Sequence, residues 1–291
     1  MEITIDPEEL ANGEMSPTHL DRAVHAIRTD GYVILSDIIS HAHLDLVREK
    51  MDEDLRTLMT ASVLPVNFVK QHLQQDPPPF APYIFRDIVA NPWVIQVTRK
   101  VLGEGLFNSS YSGNTNCPGS GTQPVHVDHG QLWSGLKMAH PAVSLVINIA
   151  PMDVTEHNGS IELWPGSHLD TNVAQEDATI KVDERIVEAR REVAPPVRGN
   201  TKKGSVLIRD KRLWHRGMPN CSDQPRQMIA MVHNIHWLQR KKRVPFNKGC
   251  EAAFENCQMD PNVEFTDKPI DYIFRNHPYD YHEDSDEKVN G

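Results

Sequence analysis

Three short apolar runs in the second half of the chain constrain the fold more than any other feature. They lie at residues 143–150, 205–210 and 228–233, and turn-forming residues separate the strand-like segments of this region. Short strands in such an order are typical of an antiparallel sandwich or barrel. We therefore predict a mainly β core over about residues 106–240.

The first hundred residues have a helical pattern instead. Apolar residues recur at helical spacing over 16–27 and again over 40–59. A third helix is predicted over 91–103, because an asparagine and a proline open it and a glycine closes it. A short apolar strand at 31–35 lies between the first two helices. The helical part is thus predicted to cover about residues 1–105.

The remaining segments are assigned from composition. The interval 170–204 separates two strands, contains a helical pattern at 182–193, and is long enough to be a lid or binding loop. Residues 241–281 are predicted to cover the core, and the acidic stretch 282–291 is predicted to be disordered. No repeat or linker is visible, so we predict a single domain over 1–281.

Composition excludes several classes of function. The chain has 291 residues and a formal charge of -10, which argues against nucleic acid as a partner. It lacks a signal-peptide pattern and any run of the roughly 20 apolar residues that a membrane span needs. Four cysteines without a CxxC pair predict free thiols and a cytoplasmic location. The basic cluster 240–243 favours a solvated loop, with a lid over an anionic substrate as the less favoured alternative.

The segment containing His126 and Asp128 is the strongest candidate for a metal site. Side chains alternate between the two faces of a strand, so these two project together, whereas His129 should face the other way. Two histidines and one carboxylate leave coordination positions open, as ferrous iron needs when it also binds a co-substrate and oxygen. A chance His-x-Asp is the alternative, because the chain has 15 histidines.

The downstream residues His215 and Arg226 make the metal interpretation more specific. His215 follows the strand at 205–210, and Arg226 lies eleven residues later. Arginine presents a planar pair of donors that matches a carboxylate. A histidine and an arginine on paired strands would therefore serve a metal and the distal carboxylate of 2-oxoglutarate together.

At this point the chain resembles the phytanoyl-CoA dioxygenase family of iron(II)/2-oxoglutarate oxygenases. The matching segments are spread over most of the chain, and each is weak alone. They are Asp30–Ile34, Asn91–Gly103, His126–Asp128, Asn158–His168, and the spaced residues Gly204, Asp210, His215, Asn220 and Arg226.

The resemblance implies a double-stranded β-helix, also called a jelly roll or cupin-like fold, with flanking N-terminal α-helices. It implies that His126, Asp128 and His215 bind Fe(II), that Arg226 binds 2-oxoglutarate, and that oxygen is the second co-substrate. Gln123 matches a glutamine that contacts the co-substrate in fungal members, although a structural glutamine at the end of a strand is an equal alternative.

The segment 67–72 and the prolines after it resemble the fungal natural-product branch of this family. The resemblance implies hydroxylation, desaturation, rearrangement or endoperoxidation of an apolar terpenoid, alkaloid or polyketide intermediate, by an enzyme that is commonly a homodimer. An apolar pocket lined by Phe68, Phe80, Leu132, Met138 and Ile235 would suit such a substrate, although core packing is the favoured interpretation of each of these residues. The candidate substrate contacts are Asn67, Phe68, His72, Leu132 and Asn148.

Other functions stay open at this stage. An acyl-CoA 2-hydroxylase is an alternative within the family, although the acidic chain makes it less attractive. A non-catalytic metal-binding jelly roll, a structural β-sandwich and a zinc or manganese isomerase of the cupin type are alternatives outside it. Arg226 argues against a simple metal-binding protein, because metal binding alone has no use for a buried carboxylate-binding group.

Overall fold

Three sheets and six α-helices make up the part of the chain that a computed structural model describes, residues 1–171, 180–240 and 242–281. The strands are β1 (Glu2–Thr4), β2 (Tyr32–Ser36), β3 (His72–Gln74), β4 (Phe107–Asn116), β5 (Ser144–Ile149), β6 (Glu162–Leu163), β7 (Val197–Arg198), β8 (Val206–Asp210), β9 (His215–Arg216), β10 (Arg226–Asn234), β11 (Val244–Asn247) and β12 (Val263–Thr266). The helices are α1 (Pro7–Asn12), α2 (Pro17–Thr29), α3 (His41–Leu58), α4 (Arg86–Val89), α5 (Pro92–Leu102) and α6 (Glu184–Val193).

The large sheet has seven strands in the order β1-β2-β8-β5-β10-β4-β3. Its neighbouring strands are antiparallel except for the parallel pair β1 and β2. The three apolar runs of the sequence are β5, β8 and β10, which lie side by side in the middle of this sheet, so the strand prediction is confirmed. Every residue of β5 and β8 is buried, because both faces of the sheet are covered there.

The outer face of this sheet packs against the N-terminal helices. Ile147 of β5 and Ile208 of β8 belong to the same buried cluster as Ile27 of α2, Met51 of α3 and Val94 of α5. Fully burying one such side chain contributes about 1.5–3 kcal/mol relative to leaving it exposed. This packing fixes one face of the sheet and leaves the opposite face for the functional site.

Helices α2 and α5 begin where the sequence indicates. Ser16 caps α2, because its hydroxyl accepts a hydrogen bond from the backbone N–H of His19 at 3.2 Å. Asn91 caps α5 by accepting from the N–H groups of Trp93 and Val94. Gly103 ends α5 with φ 84°, a conformation that glycine adopts without strain.

A small sheet has the strand order β7-β6-β9, and its residue His215 lines a common cavity with Arg209 of the large sheet. His126 extends the small sheet, because this residue forms an antiparallel bridge with His215 of β9 and another with Lys181. A third sheet consists of the parallel strands β11 and β12. The molecule is thus sheet-rich around the region that contains the predicted metal ligands.

The structure adds one feature to the predicted helical part. Strand β2 confirms the short strand predicted at 31–35. Strands β1 and β3 are additional, and they form the two edges of the large sheet. Their partners are distant in sequence, so local periodicity could not place them. The four cysteines are free, as predicted. No helix in the described ranges is long and apolar enough to cross a membrane, and the tail predicted as disordered, 282–291, lies outside those ranges.

Candidate metal centre

His126 and His215 are held face to face by direct backbone pairing. The N–H of His126 donates to the carbonyl of His215 at 2.9 Å, and the N–H of His215 donates to the carbonyl of His126 at 3.0 Å. The two rings lie 4.3 Å apart between centroids. A residue of the segment between β4 and β5 and a residue of β9 thereby bring their imidazoles to one point, as the sequence interpretation required.

Each imidazole has its tautomer fixed by a main-chain carbonyl. Nδ1 of His126 lies 2.9 Å from the carbonyl oxygen of Pro124, and Nδ1 of His215 lies 2.9 Å from that of Leu213. A carbonyl only accepts, so each Nδ1 carries the hydrogen and each Nε2 keeps a free lone pair. This is the arrangement that a metal-binding histidine needs.

Asp128 supplies the carboxylate of the set. Its Oδ1 lies 3.6 Å from Nε2 of His215, and the ligand atoms of the three residues lie within 4.8 Å of one another. Burial would raise the pKa of this carboxyl, but the charge and hydrogen bond of the Arg209 guanidinium outweigh burial and hold its pKa well below the usual range. Burial also lowers the pKa of both histidines. The site therefore presents one anion and two neutral imidazoles at neutral pH.

Arg209 is a site residue that the sequence interpretation missed. Its Nη2 donates to Oδ2 of Asp128 at 2.7 Å, and its Nε donates to Oδ1 of Asn148 at 3.1 Å. Because Oδ2 is engaged in this way, Oδ1 is the carboxylate oxygen that faces His215. The available signal was an arginine inside the apolar run 205–210, which is unusual for a strand buried on both faces.

Arg226 lies at the start of β10 and lines a cavity of about 100 Å³ together with the three candidate ligands. Its Nη2 donates to the carbonyl of Gly159 at 2.9 Å, and its buried Nε has no partner among the described residues. Burial lowers the pKa of the guanidinium to about 10, so it stays charged at neutral pH. A buried cation with a free donor is a suitable partner for a carboxylate.

Gln123 lines the same cavity but is already bonded at both ends of its amide. Its nitrogen donates to the carbonyl of Asn67 at 3.0 Å, and its oxygen accepts from the N–H of Gly217 at 2.8 Å. Asn67 and His72 line the cavity as well, and Nε2 of His72 bonds to the carbonyl of Gly121. These hydrogen bonds give Gln123 a structural role in the cavity wall.

The other predicted substrate contacts are divided between different places. The Phe68 ring packs on His126 with centroids 4.5 Å apart. Asn148 bonds to Arg209, whereas Leu132 lines a separate cavity. His129 is exposed and does not belong to the candidate ligand cluster.

Three of the residues that the sequence suggested for an apolar pocket lie in other places. Phe80 packs on Tyr83 and Tyr272, Met138 is 81% exposed, and Ile235 packs on the main core. None of these three lines the cavity at the ligands. Apolar residues in loops have no periodicity that would place them together, so the sequence could not have located them.

The donor set suits a divalent metal ion. Two imidazoles with free Nε2 atoms and one ionised carboxylate form a cluster that leaves other positions of an ion open, which is the pattern of non-haem ferrous sites. A second group of potential ligands in the described chain, Asp6, Glu9 and His19, has another role. Glu9 there accepts from the N–H of Asp6, which caps α1, and from the N–H of Ser16, which caps α2, so that group has a helix-capping role.

Comparison with known proteins assigns the family. The model of the phytanoyl-CoA dioxygenase family matches residues 27–228, which include all three candidate ligands and Arg226. This chain belongs to that family. The matched region also contains the Asn158–His168 segment, in which Gly159 supplies the carbonyl that holds Arg226.

Two curated fungal relatives match about half of the chain. Dioxygenase af480 of Aspergillus fumigatus is 24% identical over 149 residues, which are 51% of this chain and 44% of that protein. Dioxygenase andF of Emericella variicolor is 24% identical over 157 residues, which are 52% and 50% of the two chains. The chain thus aligns with only about half the length of these relatives.

Solved structures of two proteins linked to nogalamycin share the fold. The α-ketoglutarate-dependent carbocyclase SnoK from nogalamycin biosynthesis superposes with a TM-score of 0.55 at 22% identity, covering 76% of this chain and 85% of its own. The epimerase SnoN, solved with Fe3+, α-ketoglutarate and a nogalamycin compound, gives 0.57 at 17% identity, covering 75% and 84%. At these identities the likeness concerns the fold.

Proposed function

We propose that this protein is an Fe(II)/2-oxoglutarate-dependent dioxygenase of small molecules. The observation that carries the proposal is the joint placement of a His126–Asp128–His215 cluster and a buried, incompletely bonded Arg226 around one cavity. A metal-binding protein without a co-substrate would have no use for Arg226. Membership of the phytanoyl-CoA dioxygenase family supports the same conclusion.

In this proposal the chain's own residues hold and orient the reactants. His126, Asp128 and His215 would bind the metal through two Nε2 atoms and Oδ1, and Arg226 would bind the distal carboxylate of 2-oxoglutarate. Ferrous iron, when bound with 2-oxoglutarate and oxygen, supplies the oxidising power that removes hydrogen from a substrate carbon. Arg209 keeps Asp128 ionised. Phe68 packs on the ring of His126, and the two hydrogen bonds of Gln123 hold the cavity wall in place.

Topology, substrate class and oligomeric state are inferred on the same basis. We infer a jelly-roll topology for residues 106–240 within a single domain of 1–281, since two facing sheets enclose the cavity. We propose a substrate of natural-product metabolism, because the curated relatives are fungal dioxygenases and SnoK belongs to nogalamycin biosynthesis. A cytoplasmic homodimer is the proposed form of the enzyme.

The deciding experiment is anaerobic reconstitution with ferrous iron and 2-oxoglutarate. We expect a weak visible charge-transfer band from the metal to the co-substrate, which requires both to be bound at one centre. Asp128→Ala and His215→Ala should abolish the band, whereas Asp6→Ala, in the helix-cap group, should leave it unchanged. A wild-type protein without the band, or a full band in the two ligand variants, would refute the proposal.

A further inference from the structure

A second cavity, of about 630 Å³, adjoins the metal cavity. Ser112 lines it, whereas Asn114, two residues further along the same face of β4, lines the metal cavity. His129 and Gly130 also line it, and they directly follow the candidate ligand Asp128. Its volume falls within the roughly 300–1,000 Å³ of small-molecule sites. A molecule in this cavity would therefore lie next to the metal ligands.

This cavity is basic, although the chain as a whole carries a formal charge of -10. One acidic residue, Asp210, lines it, and Arg212 neutralises that carboxylate at 2.8 Å. A cleft lined by charges of one sign concentrates ligands of the opposite sign. The basic residues of the lining are Lys211, Arg212, Lys242, Arg243 and Arg275.

Two of these cations are available to a ligand. Arg275 is paired with Asp76 at 2.6 Å, but the exposed side chains of Lys242 and Arg243 have no ion-pair partner in the described chain. Their backbone is nevertheless fixed. The side-chain amide of Asn262 donates to the carbonyl of Lys242 at 3.1 Å, and the main-chain carbonyl of Asn262 accepts from the N–H of Val244 at 2.8 Å. The rim thus presents two unpaired cations on an anchored segment.

The rest of the lining is suited to a carbon skeleton with few polar groups. Leu132, Val143 and Leu238 contribute apolar surface, and Trp133 and Trp237, their sequence neighbours, are 55% and 50% exposed. Polar sites are also present: the buried hydroxyl groups of two lining residues have no partner among the described residues. These two residues are Ser110 and Tyr111.

We propose that this second cavity binds the substrate, and that the substrate is a carboxylic acid with a largely apolar skeleton. The carboxylate would lie at Lys242 and Arg243, because a guanidinium matches the planar carboxylate and the ammonium adds charge. The skeleton would then extend along the inner face of β4 towards Asp128. That this molecule is oxidised rests on the proposed function, whereas its binding in the cavity does not.

Fluorescence titration of the metal-free protein tests the binding. The probes are 9-anthracenecarboxylate and its methyl ester, which share a rigid apolar body and differ in charge. We expect the acid to bind about fivefold more tightly than the ester, and the difference to shrink at high salt. The double variant Lys242→Gln/Arg243→Gln should lose this preference while keeping its affinity for the ester. Lys100→Gln, which removes an exposed cation of α5, is the matched control and should keep the preference.

The outcomes separate this proposal from the proposed function, because the titration needs no iron and the charge-transfer band needs no substrate. Equal affinity for acid and ester, a preference that survives the double substitution, or no binding of either probe at 1 mM concentrations would overturn it. Coenzyme A serves as a competitor. If it displaces the acid with a dissociation constant below that of the acid, the proposal is also overturned, because phosphate groups would then be the preferred ligand.

Discussion

The pairing of Asp128 with Arg209 predicts an unusual response to removal of the candidate metal ligand. A carboxylate in an empty metal site commonly repels its neighbours, so its loss is expected to stabilise the metal-free protein. Here the carboxylate is the partner of a cation that is 4% exposed. Asp128→Asn removes the charge and keeps the shape, and leaves Arg209 as an unneutralised buried charge. We therefore expect the metal-free variant to be less stable than the wild type.

The size of the effect follows from burial. Removing one partner of a fully buried ion pair costs about 3–5 kcal/mol. The Asp128 side chain is 30% exposed, so solvent screening reduces the expected loss to about 1–3 kcal/mol. In a chain of this size each kcal/mol lowers the melting temperature by about 2 °C, which gives a fall of roughly 2–6 °C.

The assay is thermal and urea unfolding at pH 7 in the presence of a metal chelator. Because folding lowers the pKa of Asp128 below its ordinary value of 3.8, its stabilising contribution is complete above that pH and is lost as the pH falls towards the folded value. Asp153→Asn is the matched control, since that carboxylate is 51% exposed and its pair with Lys202 should be worth less than about 1 kcal/mol.

A double-mutant cycle completes the test. Arg209→Met alone should also destabilise, and the double variant should lose less than the sum of the two single losses. An Asp128→Asn protein that is as stable as the wild type in chelator would refute the reasoning, because the ion pair would then contribute nothing to the fold.

Three further outcomes are expected. Arg226→Lys should weaken 2-oxoglutarate binding about 10- to 100-fold in calorimetric titration, because paired charge-assisted hydrogen bonds are lost. The affinity for ferrous iron should be unchanged. If the variant and the wild type bind 2-oxoglutarate equally well, Arg226 is excluded from the co-substrate site. Burial lowers the pKa of His233 to about 4, so between pH 6.5 and 4 the folded state holds fewer protons than the unfolded state. As the pH falls through this range, the free energy of unfolding should therefore decrease by up to about 1.4 kcal/mol per pH unit. His233→Phe should flatten that dependence, and an unchanged slope would contradict this. Gly217→Ala should lower the free energy of unfolding by about 1–3 kcal/mol in urea, since the added Cβ would lie 2.6 Å from His72 and 2.7 Å from Gln123; an unchanged midpoint would be evidence against this crowding.

Local patterns in the sequence were sufficient for α2, α3, α5, α6 and the central strands, whereas the short helices α1 and α4 were not predicted. Ser16 and Asn91 cap α2 and α5 as predicted, because capping depends only on neighbouring residues. His126 and Asp128 project together because alternation along an extended segment is also a local property. His215 required more, namely its distance to Arg226 and the resemblance to a family.

The features that the sequence did not reveal depend on contacts between distant segments. Arg209 becomes a site residue only because β8 lies beside β5 and the segment of Asp128 crosses the inner face of the large sheet. Leu132 was expected among the substrate contacts, and it lines a cavity whose other walls come from β4 and from the segment before β11. No pattern in either segment alone indicates that these walls meet.

The hydrogen bonds that orient the two histidines have a consequence for how this site tolerates mutation. Both Nδ1 atoms bond to main-chain carbonyls, of Pro124 and of Leu213, and no side-chain substitution deletes a carbonyl. Asp128 depends on the side chain of Arg209, which a single base change in the gene can remove. Random substitutions can therefore remove the hydrogen bond that orients the carboxylate more easily than those that orient the imidazoles. Among descendants of this protein, the acidic ligand and its arginine should change together, while the two histidines keep their orientation.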